Sequence, residues 1–352
     1  MVFAAASVGS LQNRSQFVGA AHNSSPLITV YPWISTTTDL VTKGFGTKFS
    51  NPATLPTGQC FGVGFHPLGQ AVAVAHITTP FITGYPFSSS GFGTKYTNPA
   101  TLPVAIGEDC TFSPDGLTLA VAHDTSPNIT VYPFTAASGY GTKYSNPATL
   151  PAADGYSVDF SNPGTDIAVS HVGTPYLSVY PWSAGFGTKY SNPATLPLNH
   201  GNGVSFNYTN GAIAVVFSTT PFIAAYPWTT GTGFGTKYSN PASTINGNGY
   251  DVAFAPDGNN IEVASSLTPF LAAYGWTDAS GFGTRTGNPG TLPGSNCNGV
   301  AYQRTGTDIG FVYDTAPRIN IYPWNTASFG SKYADPATVL TGTGNGISFS
   351  AL

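Results

Sequence analysis

The chain has 352 residues, of which 7% are charged and 13% are aromatic, and its formal net charge is −4. Because these values come without a basic tract, we do not expect general nucleic-acid binding. No apolar run approaches the roughly 20 residues that a membrane-spanning helix needs. The three cysteines are an odd number without metal-ligand spacing, so no metal centre is expected from them.

One motif recurs along the chain from residue 16 onward. The sequence Gly-Phe-Gly-Thr-Lys-Tyr-Ser-Asn-Pro-Ala-Thr-Leu-Pro at 185–197 has diverged copies at intervals of 46 to 48 residues. Seven cations hold the same place in these copies: Lys48, Lys95, Lys143, Lys189, Lys237, Arg285 and Lys332. An internal period of this length indicates a solenoid or a propeller.

Each repeat contains four predicted strands, whereas residues 1–15 match the repeat poorly. A first strand, as at 201–207, alternates Val or Phe with small residues and is followed by turn residues. A second strand, as at 71–76, is apolar on both faces and must be covered on both sides. The third strand, as at 80–87, contains a recurrent Tyr, and the cation motif is the fourth strand.

Four short strands in each of seven units predict an all-β fold, a seven-bladed β-propeller of four-stranded antiparallel blades. We expect a single domain over 1–352, in which 1–15 are a candidate N-terminal arm, 16–343 hold the repeats and 344–352 form a closing strand. Because 344–350 resemble a first strand, we expect them to pair into the first blade and close the ring, which removes two open edges. In the alternative, residues 7–12 take that place.

The repeats resemble those of WD40-type propellers. Phe-Ser-Pro-Asp-Gly at 112–116 precedes an apolar strand and then a strand that ends in Tyr-Pro-Phe, but the Trp-Asp dipeptide is absent. The near-verbatim cation motif is similar to repeats of WD40-like proteins encoded by tailed bacteriophages. The resemblance implies a non-catalytic virion component, associated with decoration, tail or fibres, that binds other virion structural proteins. It also implies a location in the virion after synthesis in the host cytoplasm, without a signal peptide.

Two repeated features are candidate binding sites. We interpret the seven cations as protection of exposed blade edges, with a basic ring that contacts an acidic partner such as a capsid lattice as the alternative. The aromatic residues that end the third strands are interpreted mainly as core between blades. The alternative is a multivalent lectin whose platforms stack on host surface glycans, with affinity from repetition: Trp33, Trp182, Trp228, Trp276 and Trp324.

The titratable residues do not predict catalysis. Four histidines share one repeat position, His22, His76, His123 and His171. We expect them to be structural, with a pH-responsive interface as the alternative. The carboxylates near the predicted channel look scattered and are interpreted as turn caps rather than as a glycosidase pair: Glu108, Asp109, Asp154 and Asp251. Because no Ser-His-Asp order, phosphate loop or metal signature is present, no enzyme, catalytic residue, metal or cofactor is predicted.

Overall fold

The computed structural model describes residues 16–35 and 43–350, and these residues form 26 β-strands in seven antiparallel sheets. Each sheet is one blade, and the innermost strand of each blade contacts the innermost strands of its two neighbours in a closed ring. The described residues contain no helix that could cross a membrane. The predicted seven-bladed propeller is therefore confirmed, and the candidate arm at 1–15 lies outside the described residues.

The strands of the first four blades, in chain order, are as follows. Blade 1 contains β1 (Gln16–His22), β2 (Ile28–Ile34) and β3 (Gly44–Phe45), and blade 2 contains β4 (Cys60–Phe65), β5 (Ala71–His76), β6 (Ile82–Ser88) and β7 (Gly91–Phe92). Blade 3 contains β8 (Gly107–Phe112), β9 (Thr118–His123), β10 (Ile129–Thr135) and β11 (Gly139–Tyr140), and blade 4 contains β12 (Gly155–Phe160), β13 (Asp166–His171) and β14 (Leu177–Pro181).

The remaining strands form blades 5 to 7 and complete blade 1. Blade 5 contains β15 (Gly201–Phe206), β16 (Ala212–Phe217), β17 (Ile223–Thr229) and β18 (Gly233–Phe234). Blade 6 contains β19 (Gly249–Phe254), β20 (Asn260–Ser265), β21 (Leu271–Thr277) and β22 (Gly281–Arg285). Blade 7 contains β23 (Cys297–Tyr302), β24 (Asp308–Tyr313) and β25 (Ile319–Pro323), and β26 (Gly344–Phe349) is the innermost strand of blade 1.

The ring is closed by the C-terminal strand, as expected. β26 pairs antiparallel with β1, from Val18 opposite Phe349 to His22 opposite Gly344. Beyond the strand, the main-chain N–H of Phe17 donates to Ser350 Oγ at 2.9 Å. Main-chain bonds between the two ends of the chain thus remove both open edges of the ring.

The fourth strands are much shorter than the cation motif suggested. In blade 2 the carbonyl of Pro86 accepts from Gly93 N–H at 2.8 Å, but proline has no N–H to return, so the ladder ends there. Blade 6 has Gly275 at the equivalent position, and there the strand continues to Arg285, opposite Tyr274. In blades 4 and 7 the fourth strand is reduced to one isolated bridge each.

The hydrophobic core lies between blades, as strands that are apolar on both faces require. The recurrent Tyr of the third strand is fully buried, and its hydroxyl donates at 2.7 to 2.9 Å to a carbonyl of the segment that leads in from the previous blade. In blade 2, for example, Tyr85 donates to Thr54 at 2.8 Å. This contact ties neighbouring blades and explains why Tyr recurs in every repeat.

Candidate active site

A cavity of about 360 Å³ lies at the end of the central channel where the innermost strands begin, which we call the upper mouth. Its volume is in the range of small-molecule sites. The second residue of every innermost strand lines it: Phe61, Glu108, Tyr156, Asn202, Tyr250, Asn298 and Asn345. Glu108 is the single carboxylic acid among these seven equivalent positions.

The three asparagines of this ring join neighbouring blades. Each donates its side-chain amide to the carbonyl of the first residue of the next innermost strand, at 2.7, 2.9 and 2.7 Å respectively: Asn202 to Gly249, Asn298 to Gly344 and Asn345 to Cys60. These bonds give a main-chain carbonyl at the start of each of the three strands a side-chain partner on the preceding blade. The amide groups on this side of the ring are therefore part of the scaffold.

Glu108 lies among other carboxylates on the opposite side of the ring. Burial, and to a smaller extent the nearby carboxylates of Asp124, Asp109 and Asp154, together raise the pKa of Glu108 to about 8. Burial and the same neighbourhood also raise the pKa of Tyr156 on the next blade. A carboxyl group with a pKa close to neutrality can both accept and return a proton, which is the property of a general acid–base.

A histidine on blade 5 extends this polar region. The ring of His200 lies 6.3 Å from the ring of Tyr156, centroid to centroid, and its Nε2 atom lies 3.5 Å from Ser218 Oγ. We call the resulting set on blades 3 to 5 the mouth cluster, which consists of Glu108, Asp124, Asp154, Tyr156 and His200. The ring brings Glu108 and Asp154 into one sector, so these carboxylates are not scattered as the sequence suggested. Asp154 does cap a turn, because its Oδ1 atom accepts the main-chain N–H of Thr125 at 3.2 Å.

Deeper in the channel, three further carboxylates tie blades together. Each reaches to the next innermost strand and accepts from a main-chain N–H at 2.8 to 3.1 Å: Asp109 from Val158, Asp159 from Phe206 and Asp251 from Val300. Burial raises the pKa of Asp109, and it raises the pKa of Asp159 and of Asp251 to about 7. Asp109 and Asp251 therefore join blades rather than cap turns, and Asp159 does the same although the sequence did not point to it.

The structure arranges no group of three or more His, Cys, Asp or Glu side chains around a point that could hold a metal ion, within residues 16–35 and 43–350. The oxygen atoms of the channel carboxylates are instead turned toward main-chain N–H groups of the neighbouring blade.

The candidate glycan platforms are buried between blades. The exposed fractions of Trp33, Trp182, Trp228, Trp276 and Trp324 are 3%, 7%, 3%, 2% and 5%. The ring of Trp33, for example, is packed edge to face at 5.1 to 5.9 Å against Phe45, Tyr333 and Phe349. No indole face is open for a sugar ring, so the alternative interpretation as stacking platforms is wrong, and the main interpretation, core between blades, fits their burial.

The ring of cations is half-buried and bonded locally. Lys48 donates to the carbonyl of Phe49 at 3.0 Å and to Asn51 Oδ1 at 2.6 Å, and four more lysines repeat this pattern: Lys95, Lys143, Lys189 and Lys237. Lys332 pairs with Asp335 instead, and Arg285 donates to the carbonyl of Thr244 at 3.2 Å. Binding of an acidic partner by this ring stays a prediction.

The four equivalent histidines are fully buried beside a hydroxyl on the third strand. Their Nε2 atoms lie 2.9 to 3.0 Å from the side-chain oxygen seven residues later: His22 with Thr29, His76 with Thr83, His123 with Thr130 and His171 with Ser178. Burial lowers the pKa of His171 to about 4. These histidines are part of the core, as expected from the sequence.

Comparisons with known proteins find solved structures with a similar fold but no protein with a similar sequence. No family model and no curated protein matches the chain significantly. The periplasmic gluconolactonase of Pseudomonas aeruginosa matches with a TM-score of 0.69 at 16% identity, over 96% of this chain and 99% of that one. A Bacteroides fragilis protein provisionally named a 6-phosphogluconolactonase matches with 0.69 at 13%, over 97% and 99%. A Lactobacillus plantarum protein matches with 0.70 at 14%, over 96% and 99%.

These matches correct the resemblance drawn from the repeats. They support a seven-bladed propeller, and nothing in them points to WD40 repeats or to a phage origin. The expected function as a non-catalytic virion component, with a lectin as its alternative, is contradicted because two of these neighbours carry lactonase names. At 12 to 16% identity the likeness shows the fold alone.

Proposed function

We propose that the protein is a hydrolase that opens an uncharged lactone in the upper mouth, with Glu108 as general acid–base. The observation that carries the proposal is the position of Glu108, whose pKa is raised to about 8 at the edge of a cavity of about 360 Å³. Perturbed carboxyl groups in clefts mark functional sites. The names of the structural neighbours support lactones as the substrate class.

The reaction needs one proton to be taken up and one to be returned. Ionised Glu108 takes a proton from a water molecule whose oxygen attacks the lactone carbonyl carbon. As the bond between that carbon and the ring oxygen breaks, protonated Glu108 gives the proton to the departing ring oxygen. The product is an open-chain hydroxy acid and Glu108 returns to its ionised form, so one carboxyl group serves both steps because its pKa lies near the working pH.

The charge around the upper mouth favours an uncharged substrate. No Lys or Arg is among the residues that line the cavity, whereas Glu108 is surrounded by the carboxylates of Asp124, Asp109 and Asp154. A phosphate group would gain no cation there and would meet negative charge. The same field repels the carboxylate of the product, which speeds its release. We therefore expect the unphosphorylated lactone to be hydrolysed faster than its 6-phosphate.

The test is hydrolysis of glucono-δ-lactone and of its 6-phosphate by the wild-type chain and by Glu108→Gln. We expect kcat/KM to be at least tenfold higher for the uncharged lactone, and Glu108→Gln to lower it by roughly 100- to 10,000-fold, the usual effect of losing a general acid–base. The matched control is Asp257→Asn, which neutralises an exposed carboxyl on a turn at the opposite end of blade 6. Full activity of Glu108→Gln, or no hydrolysis of either lactone above the uncatalysed rate, would contradict the proposal.

A further inference from the structure

We propose that Ser218 is a second reactive group, a nucleophile activated by His200 and Asn199, which transfers acyl groups from open-chain carboxylic esters. Ser218 follows β16 on blade 5 and lies beside the upper mouth, next to the side chain of Asn202. The proposal does not depend on lactone hydrolysis by Glu108. It rests on three features of the bonding around Ser218.

The first feature is the tautomer of His200. Asn199 Oδ1 accepts the main-chain N–H of His200 at 2.8 Å, which fixes the orientation of the Asn199 amide, and Asn199 Nδ2 donates to Thr219 Oγ1 at 3.0 Å. His200 Nδ1 lies 3.0 Å from the same Oδ1 atom. An oxygen that can only accept requires a donor, so Nδ1 carries the proton and Nε2 is the basic nitrogen.

The second feature is the hydroxyl of Ser218. Its Oγ atom accepts from Asn202 Nδ2 at 3.2 Å and lies 3.5 Å from His200 Nε2. Because the amide donates to this oxygen, the hydroxyl proton is free to point to the basic nitrogen of His200. An activated serine needs a base within reach and a third group that orients the base. The hydrogen bond between the serine hydroxyl and the base is often longer before substrate binds.

The third feature is the main-chain N–H of Ser218. In five other blades the equivalent N–H donates to the carbonyl that precedes the innermost strand, at 2.9 to 3.3 Å: Asn23 to Thr343, Ile77 to Gln59, Asp124 to Ile106, Val172 to Asp154 and Ser266 to Asn248. Within the described residues, the N–H of Ser218 forms no such bond with His200, and the equivalent N–H of Asp314 on blade 7 forms none with Asn296. It is therefore a free donor beside the nucleophilic oxygen, where the oxyanion of a tetrahedral intermediate needs one.

The arrangement occurs on blade 5 and not at the equivalent positions of the other repeats. Blade 6 also has a serine there, Ser266, but Asn248 replaces the histidine, and the Ser266 hydroxyl accepts the main-chain N–H of Asn248 at 2.9 Å. Ser266 thus lacks a base and is a matched control within the same molecule. Ser218 itself is half-buried, and its neighbour Asn202 lines the upper mouth.

The proposed reaction has two steps that balance. Ser218 Oγ attacks the ester carbonyl carbon while its proton moves to His200 Nε2, and the alcohol leaves with that proton as an acyl-serine forms. A water molecule then attacks the acyl-serine, its proton passes to His200 and from there to the departing Oγ, and the carboxylic acid is released. Ser218 and His200 return to their starting states without any further reactant.

The experiment is covalent labelling with a fluorophosphonate, followed by mass spectrometry of the peptides. Attack by Ser218 forms an oxygen–phosphorus bond and expels fluoride, so the modified serine is identified directly. We expect labelling at Ser218 and not at Ser266, a decrease in rate on the order of 100-fold in His200→Ala, and a wild-type rate in Asp257→Asn. Hydrolysis of 4-nitrophenyl acetate should show a burst of one nitrophenol per chain that is lost in Ser218→Ala.

Asn199 is a positioning residue, and its variants separate orientation from folding. Asn199→Asp keeps an oxygen acceptor for both N–H groups of His200 and should retain labelling, whereas Asn199→Ala should lose most of it at an unchanged melting temperature. Labelling of Ser218 and Ser266 at equal rates, no labelled serine, or a wild-type labelling rate in His200→Ala would each overturn the proposal. Retained labelling in an inactive Glu108→Gln would leave it standing while confining lactone hydrolysis to Glu108.

Discussion

Gly62 on one innermost strand leaves the space that Asp109 on the next strand occupies. A Cβ atom added to Gly62 would lie 2.6 Å from both the Cα and the Oδ1 atom of Asp109, and one added to Gly203 would lie 2.9 Å from the Cα atom of Asp251. The glycines let neighbouring innermost strands approach closely. The carboxylates can then bridge to the following strand, which holds the channel together below the upper mouth.

We expect Gly62→Ala to lower the free energy of unfolding by ~3 kcal/mol, at the upper end of the range for overpacked sites. One of the atoms that the new methyl group meets is main-chain Cα, so trimming the neighbour in Gly62→Ala/Asp109→Ala should not restore stability. Gly287→Ala is the control, because no atom lies within 4 Å of a Cβ at Gly287. Urea unfolding of the three variants measures the effect, and equal stability of Gly62→Ala and Gly287→Ala would contradict this account.

Glu262 is a position at which one blade differs from all the others, and we expect this difference to lower the stability of the fold. Its side chain is fully buried on β20, where other blades have Ala or Gly, and its carboxyl oxygens lack a hydrogen bond of normal geometry. The Tyr302 phenol is likewise without a bond of normal geometry, although the two groups affect each other's titration. Burial raises the pKa of Glu262 well above its usual range, because removal from water destabilises the charged form.

We expect Glu262→Met, an apolar side chain of similar size, to raise the free energy of unfolding by about 1 to 3 kcal/mol, the cost of a buried polar group without a partner. The pKa of Glu262 is higher in the folded chain than in the unfolded chain. The contribution of Glu262 to the free energy of unfolding is therefore most favourable below pH 4.5 and becomes less favourable as the pH rises. The gain in Glu262→Met should therefore be larger at pH 8 than at pH 4.5. Urea unfolding at the two pH values tests this, and a variant less stable than wild type at pH 8 would disprove it.

The fold was accessible from the sequence because the repeat encodes it. The third-strand Tyr and the segment that it contacts recur together, as Tyr85 and Thr54 do, so each repeat carries both partners of a contact between blades. The short fourth strands were not predicted. Pro86 has no N–H, and this interrupts the hydrogen bonds only to the strand that the N–H would have faced, which is the fourth strand. Which neighbouring strand an N–H faces depends on how the strands pair, and the residue types alone do not reveal it.

The candidate site was missed because its residues come from different places in different repeats. Glu108 is the second residue of β8, Asp124 follows β9 and His200 precedes β15, so no single spacing relates them. An alignment of the seven repeats does, however, contain a pattern that indicates the site. Glu108 is the single acid at its position, and His200 the single histidine at its own, which marks positions where the repeat is broken on one side of the ring.

A comparison of two blades shows how the acid-sensitive contact between His171 and Ser178 can be replaced by apolar residues. Blade 4 places His171 against Ser178, and blade 5 has Phe217 and Ala224 at the same two positions, all buried. We expect His171→Phe/Ser178→Ala to fold and to resist acid better than wild type. His171→Phe alone leaves the Ser178 hydroxyl buried without a partner and should be less stable than the double variant by roughly 1 to 3 kcal/mol.

The direction of the acid effect follows from the lowered pKa. Burial holds the pKa of His171 at about 4, below its value of 6.5 in the unfolded chain, so the unfolded chain takes up the proton first. The stability that depends on neutral His171 is complete above pH 6.5 and is lost as the pH falls toward 4, a change of ~3 kcal/mol. Thermal unfolding at pH 7 and pH 4.5 should show a smaller loss in the double variant, and parallel losses in both proteins would contradict the assignment.

The raised pKa of Glu108 sets the pH dependence of lactone hydrolysis. With a pKa of about 8, the ionised form that acts as the base is a minor species at pH 7, so kcat/KM should rise about tenfold for each pH unit below 8 and level off above it. Asp124 is the largest contributor after burial. Removal of its charge in Asp124→Asn should shift the midpoint of the profile to lower pH. Asp257→Asn, at the far end of the channel, should leave the midpoint in place, and a wild-type profile that is flat between pH 6 and pH 9 would rule out Glu108 as the base.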